Sequence, residues 1–380
     1  MNIIIIGGGI HGITIALRLL QDHIITKESL QIIEPGPYTQ QWRQITDNIA
    51  MDYLRSPVVH HVHPNPYDLK QFAKINEYTQ AFSGYYQRPQ LEMFNDHIQH
   101  AIKENSLEDC HVYDKAVTLT QENQIWTVTG ENGVYQASHL ILATGLNHIH
   151  HIPDFMSAVS PERYQHIFDY HTPLADADVV IGGGITACHA VRKLSAYKPV
   201  TLIMRHDIRC HELDSEPGWL GPKNMKRFHE TDSFAARREM IKEARHRGSM
   251  PMHLKQSLKY LEAQGKVNIM KGHIEKVDNQ IITLTDGRTI PYHHIALATG
   301  CDSHLCRDPL YHQLIQTYQP PTADCGFPVV NQDLEWFDHL YVSGPLAELE
   351  LGPVARNIIG GRKAAERIAT ALKQVHADAF

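Results

Sequence analysis

Two glycine-rich turns of one design, 175 residues apart, constrain this chain more than any other feature: GGGIHG begins at Gly7 and GGGITA at Gly182. Each follows a short apolar run, Ile3–Ile6 and Val179–Ile181, and each leads into a helix-like stretch, 13–20 and 187–194. In that strand–turn–helix setting the pattern has a mechanism. The first glycine (Gly7, Gly182) makes the tight turn. The second (Gly9, Gly184) lets the backbone approach a pyrophosphate. The third position (Gly12, Ala187) lets the helix pack closely on the strand and aim its first amides at the phosphates. A single such turn could be a chance cluster, whereas two in the same setting predict two dinucleotide sites.

The rest of the chain repeats the same plan. LQIIE (30–34) reads as the second strand of the first unit, IWTVT (125–129) as a further strand, and YQASHLILATG (135–145) as a buried strand ending in a small-residue turn. In the second unit VTLIMRH (200–206) and HHIALATG (293–300) repeat the second strand and the ATG ending. LYVSGP (340–345) then supplies another strand, and 357–375 a final helix. Strands alternating with helices predict parallel sheets. The fold class expected is α/β, with two Rossmann-like, doubly wound dinucleotide-binding domains, the second inserted in the first. The domains expected are 1–172, then 173–303 with a helical insertion over 207–260, then a return segment 304–380 that completes the first.

Composition narrows the class further. The opening isoleucines lack a basic leader and fall far short of the ~20 apolar residues a membrane span needs, so they read as a strand, not a signal peptide or membrane anchor. Six cysteines without a CxxC pair suggest reduced thiols and a cytoplasmic protein. The histidine clusters at 60, 61 and 63 and at 148, 150 and 151 lack cysteine or carboxylate support, so no metal site is expected. A net charge of −7 argues against nucleic acid as a partner. Yet Gly221 to Lys259 carries ten Lys/Arg against four Asp/Glu. That run is either a solvated helical face or a field for a polyanion such as NADPH.

The strand ends assign the nucleotides. Glu34 can accept hydrogen bonds from both ribose hydroxyls and repels a 2′-phosphate, so the first site suits FAD or NAD. The matching position of the second unit holds Arg205, whose guanidinium suits a 2′-phosphate, although an ordinary strand-end arginine is the other reading. FAD in the first site and NADPH in the second is the consistent pair, with Arg209 and the basic insertion adding to the second. The segment 348–368 supports flavin in the first site. Its glycines, Gly352 among them, precede a helix beginning near Asn357, and a helix N-terminus suits the N1–C2=O edge of a reduced flavin, a plain helix start being the other reading.

With these features the chain resembles the class B flavoprotein monooxygenases, nearest the group of lysine and ornithine N-hydroxylases. The similarity runs along nearly the whole length. It includes both Gly-rich turns, the ATG ends at Gly145 and Gly300, the GPVARN segment, and YQHIFDY (164–170), where His166 and Tyr170 match a linker motif HSxxY. LRSP (54–57) and DSEPGWLGPKN (214–224) resemble segments of an uncharacterised branch of FAD/NAD(P)-binding proteins. The chain departs from the family at Ile167, where the motif has serine, and at Gly344–Pro345 on the last strand; the FxGxxxHxxx(W/P) fingerprint is absent. The resemblance implies an NADPH- and O₂-dependent enzyme that hydroxylates a small amine- or heteroatom-containing metabolite through a C4a-(hydro)peroxyflavin, with no protein base. It places Trp42, Arg43, Met51 and Arg55 along the isoalloxazine, Met51 also reading as core, and leaves Arg55 and His166 as catalytic candidates. The competing readings are an NAD(P)H-dependent flavoprotein reductase or dehydrogenase with a quinone or protein acceptor, and a non-catalytic flavoprotein. The oligomeric state is open.

Overall fold

The computed structural model describes residues 1–169, 171, 174, 176–278, 280–302 and 304–378. Ile3–Ile6 is buried on both faces and becomes an inner strand of a six-stranded sheet. Its neighbours are Leu30–Ile33 and His139–Leu142, both parallel to it and in register, Ile3 opposite Leu30 and His139. His111–Val112 extends one side of the sheet. On the other side Leu340–Val342 pairs with His139–Leu142, and Glu335–Phe337 closes the edge antiparallel. The return of the chain after the second unit thus places a strand inside the first sheet.

The second sheet has five parallel strands in the order Tyr164–His166, Ile295–Leu297, Val179–Ile181, Val200–Met204 and Val267–Lys271. Its three inner strands repeat the arrangement of the first sheet, down to the closing hydrogen bonds. Gly7 N–H donates to Ile33 O and Ala143 N–H to Ile6 O, at 3.0 and 2.8 Å; Gly182 donates to Ile203 O and Ala298 to Ile181 O, at 3.1 and 2.8 Å. Because Tyr164–His166 pairs with Ile295–Leu297, the second sheet begins before residue 173.

Side chains alternate across this sheet. Val180, Leu202 and Ala296 face a core formed with Ala187, Cys188 and Val191 of helix Ile185–Leu194 and with Leu254 and Leu258 of helix Met252–Ala263. Val179, Ile181, Ile203, Ile295 and Leu297 face Ile282, Leu284 and Met156. That second cover is a three-stranded antiparallel sheet, Ile274–Asp278, Ile281–Leu284 and Thr289–Pro291, where a simple doubly wound fold would have helices. One apolar face of a small sheet buries the same surface a helix would.

The expected strand 135–145 is two strands in different sheets. Val134–Ala137 joins Ala116–Glu122 and Ile125–Gly130 in an antiparallel sheet, and His139–Leu142 enters the parallel one. The break falls at Ser138, whose hydroxyl accepts from Asn2 N–H and donates to Asn2 O, at 3.1 and 3.0 Å. Alternating exposure before the break and a fully buried run after it mark the two environments. The insertion forms helices Pro222–His229 and Phe234–Ala244 ahead of Met252–Ala263. The last helix, Ile358–Asp378, packs along Ile10–Gln21. No helix among the described residues is long and apolar enough to cross a membrane.

Candidate cofactor sites and the cleft beside them

The two Gly-rich turns show which glycines the fold itself requires. Gly7 has φ +108°, and a Cβ there would lie 2.7 Å from Ala143 O. A Cβ at Gly12 would lie 1.9 Å from Gly7 O, so helix Ile10–Gln21 can approach its strand only without one. Gly9 is different: a Cβ there meets no atom within 4 Å. The open side of Gly9 sits at the start of a helix with no side-chain cap, so unpaired amides face a space that suits a pyrophosphate. Glu34 accepts from Gly8 N–H at 2.6 Å through one carboxylate oxygen. Burial raises its pKa and the Gly8 and Gly36 amides oppose that shift. These residues fit the pyrophosphate and ribose of FAD.

The second turn has the same form. Gly182 has φ +152° and would meet Ala298 O at 2.6 Å, Ala187 is fully buried, and the helix from Ile185 also lacks a side-chain cap. Beside it lies a cleft of about 840 Å³. It runs from Arg205 and His206 past Gly182–Gly184 to Gly300, Cys301 and Arg356. Five arginines line it (Arg55, Arg205, Arg245, Arg247, Arg356) against two aspartates, Asp214 and Asp302. Asp214 pairs with Arg55 at 2.7 Å, and Asp302 with Arg307 at 2.6 Å. The field left over is positive and suits a nucleotide with several phosphate charges. Arg205 is exposed, and no ion pair or hydrogen bond engages it among the described residues. Gly145 and Gly300, with φ +67° and +81°, both leave their Cβ side open at the ends of the ATG strands.

Other expected residues take different places. Trp42 and Arg43, on helix Gln40–Asn48, reach the helix Leu91–Glu104: Trp42 Nε1 donates to Asn95 Oδ1 at 3.0 Å and Arg43 to Asn95 O at 3.4 Å. Neither lines the cleft, and Met51 packs between the two cores. Arg55 lines the cleft, yet its guanidinium is engaged by Asp214 at 2.7 Å, by the carbonyls of His211 and Leu213 at 2.7 and 2.9 Å, and by Ser249 Oγ at 2.9 Å. It is a clamp between the first unit and the insertion, with little left to offer a reacting group. Gly352 has φ +73°, and a Cβ there would lie 3.1 Å from Met225 Sδ, so the absence of a side chain serves packing against the insertion.

His166 is buried at the cleft wall and stacked on His150 with ring centroids 4.3 Å apart. Burial pushes its pKa down to about 3, and its Nδ1 accepts from Phe168 N–H at 3.2 Å. The ring is therefore neutral at physiological pH. Ile167 beside it is buried, and Tyr170 lies outside the described residues. Cys301 also lines the cleft, but burial pushes its thiol up to about 12, and all six cysteines are free thiols. Among the described residues no group of three His, Cys, Asp or Glu is placed to hold a metal ion.

Sequence reasoning missed His11. Its Nε2 donates to Asn357 O at 3.0 Å, and its Nδ1 takes the Ser343 hydroxyl at 2.9 Å. Burial lowers its pKa to about 4, which keeps the ring neutral and fixes this donor–acceptor sense. The first turn, the last strand and the start of the last helix are thereby stitched together, with Asn357 beside the turn. The basic run of the insertion also acquires a destination. Arg238 pairs with buried Glu348, Arg237 with Glu350, and Arg245 donates to Pro353 O at 2.9 Å. Of the run, Arg245 and Arg247 alone line the cleft.

The family model for pyridine nucleotide-disulphide oxidoreductases matches residues 4–335. A curated relative, the uncharacterized oxidoreductase CzcO-like of Geobacillus kaustophilus (strain HTA426), is 28% identical over 198 residues, 50% of this chain and about half (54%) of that protein. Among solved structures, an ornithine hydroxylase from Pseudomonas aeruginosa superposes with TM-score 0.78 at 17% identity, over 98% of both chains. An ornithine N-hydroxylase from Kutzneria sp. 744, with reduced FAD, NADP⁺ and L-ornithine, gives 0.77 at 14% identity over 99% of both. At these identities the likeness is one of fold, and it extends over the whole chain, both sheets and the return segment included.

Proposed function

Because the chain belongs to the pyridine nucleotide-disulphide oxidoreductase family, we propose that it is an FAD- and NADPH-dependent monooxygenase acting on a small metabolite that carries an amine or another oxidisable heteroatom. One observation supports this reading: the same chain has both an open side at Gly9, before one uncapped helix start, and an arginine-lined cleft along Gly182–Gly184, before another, and the cleft ends at the return segment. Bound flavin would supply the two-electron and oxygen chemistry. The chain's own residues bind, orient and exclude water. The helix starts at Gly9 and Gly184 hold phosphates, Glu34 holds a ribose, and Arg205 takes a 2′-phosphate. Neutral His166 and the protonated Cys301 thiol offer no ready base, in keeping with a protein that positions reactants and leaves proton transfer to them.

Nucleotide preference tests the assignment of the second site. A charge-assisted contact contributes ~1.5–3 kcal/mol, so Arg205→Ala should lower the preference for NADPH over NADH roughly 10- to 100-fold in kcat/KM. Unchanged selectivity would remove Arg205 from the 2′-phosphate.

A further inference from the structure

The insertion does more than cover the second unit. Its loop from Arg245 to Ser249 folds back over the second Gly-rich turn. A Cβ at Gly184 would lie 3.5 Å from the Gly248 Cα. Gly248 is left-handed at φ +65°, and a Cβ there would strike His206 Nε2 at 2.7 Å. The same imidazole closes on Gly183, where a Cβ would meet its Cε1 at 2.7 Å. Turn, histidine and insertion loop are thus in contact, with glycine at 183 and 248, where a Cβ would press on the His206 ring.

The loop is also held in place. Arg209 donates to Arg247 O at 3.3 Å, His246 N–H to Asp214 O at 2.8 Å, and Arg55 to Ser249 Oγ at 2.9 Å. Arg247 itself projects into the cleft that borders Gly182–Gly184. Its side chain is exposed, with no ion pair or hydrogen bond among the described residues. Asp214 and Asp302 are engaged by Arg55 and Arg307, so neither is needed to neutralise it. A backbone fixed this firmly, presenting one uncommitted cation beside a helix N-terminus, is an anion clamp closed from the second side.

We propose that Arg247 binds the pyrophosphate of the nicotinamide nucleotide, opposite the amides of the Gly182–Ala187 turn, which makes the insertion part of the nucleotide site. This rests on the assignment of the second site to a nicotinamide nucleotide. It divides the labour between two arginines: Arg247 serves the group that NAD⁺ and NADP⁺ share, and Arg205 the group that distinguishes them.

Calorimetric titration of the FAD-loaded protein with NADP⁺ and with NAD⁺ tests this directly, without turnover. Arg247→Ala should weaken both nucleotides by the same factor, roughly tenfold. Arg247→Lys should recover part of that loss, and Arg205→Ala should weaken NADP⁺ alone. If Arg247→Ala leaves both affinities unchanged, or weakens NADP⁺ only, the pyrophosphate assignment is wrong while the nucleotide site stands. A wild-type protein that binds neither nucleotide would overturn the functional reading and this inference with it.

Discussion

Gly9→Val should give a folded protein that holds no FAD. The structure separates the glycines the fold needs from the one it leaves free. A Cβ at Gly12 would sit 1.9 Å from Gly7 O, so even Gly12→Ala should push the helix off its strand and compromise folding. Gly9 has open space around its Cβ direction, and the N-cap backbone there is extended at φ −76°, which any residue can adopt. The Cβ of a valine at 9 therefore meets no protein atom within 4 Å. It would fill the space in front of the helix amides, where a phosphate has to sit. The variant should keep the circular dichroism spectrum of the wild type and elute without flavin absorbance. Near-stoichiometric flavin in Gly9→Val would mean that the first turn does not hold the pyrophosphate.

Glu348→Gln is expected to destabilise the chain by about 3–5 kcal/mol, because it strips the counter-charge from buried Arg238 and partly buried Arg356. Glu348 is 1% exposed. It accepts from Arg356 Nε and Nη2 at 2.7 and 3.0 Å and pairs closely with Arg238. Both guanidiniums are already pressed down to about 10 by burial, and both lie over Phe327, at 4.0 Å for Arg238 and 5.8 Å for Arg356. They remain charged at neutral pH, so losing the carboxylate leaves two charges in a poorly solvated site. The effect should appear as a lower midpoint in urea with an unchanged slope. A loss under about 1 kcal/mol would mean that water or another carboxylate serves these arginines.

The sequence was most legible where the cause is local. Both Gly-rich turns could be read because strand, turn and helix start lie within about a dozen residues and each glycine answers a short-range demand. The ATG strands and the return to the first sheet could be read from repetition. Partnerships across the chain were not legible. His11 finds its partners at Ser343 and Asn357, and Arg55 finds its own between His211 and Ser249. No pattern around either residue announces those contacts. Arg55 therefore looked like a cofactor-facing arginine when its donors are taken up by the insertion. The basic run of the insertion was visible as charge, but its destination was not, since Glu348 and Glu350 lie about a hundred residues further on. The strand expected over 135–145 is two strands because a single stretch crosses from one sheet to another at Ser138, where the clasp on Asn2 marks the crossing.

Stopped-flow absorbance on the FAD-loaded enzyme separates an oxygenase from a reductase. The protein is reduced anaerobically with NADPH and then mixed with O₂. An oxygenase should show a transient species, distinct from both reduced and oxidised flavin, that lasts longer with NADP⁺ bound than without it. A nucleotide held in the cleft from Arg205 to Arg356 would keep water from the flavin. Return of oxidised flavin in one step, with and without NADP⁺, would rule out the monooxygenase and assign the chain to the reductases that pass their electrons to another acceptor.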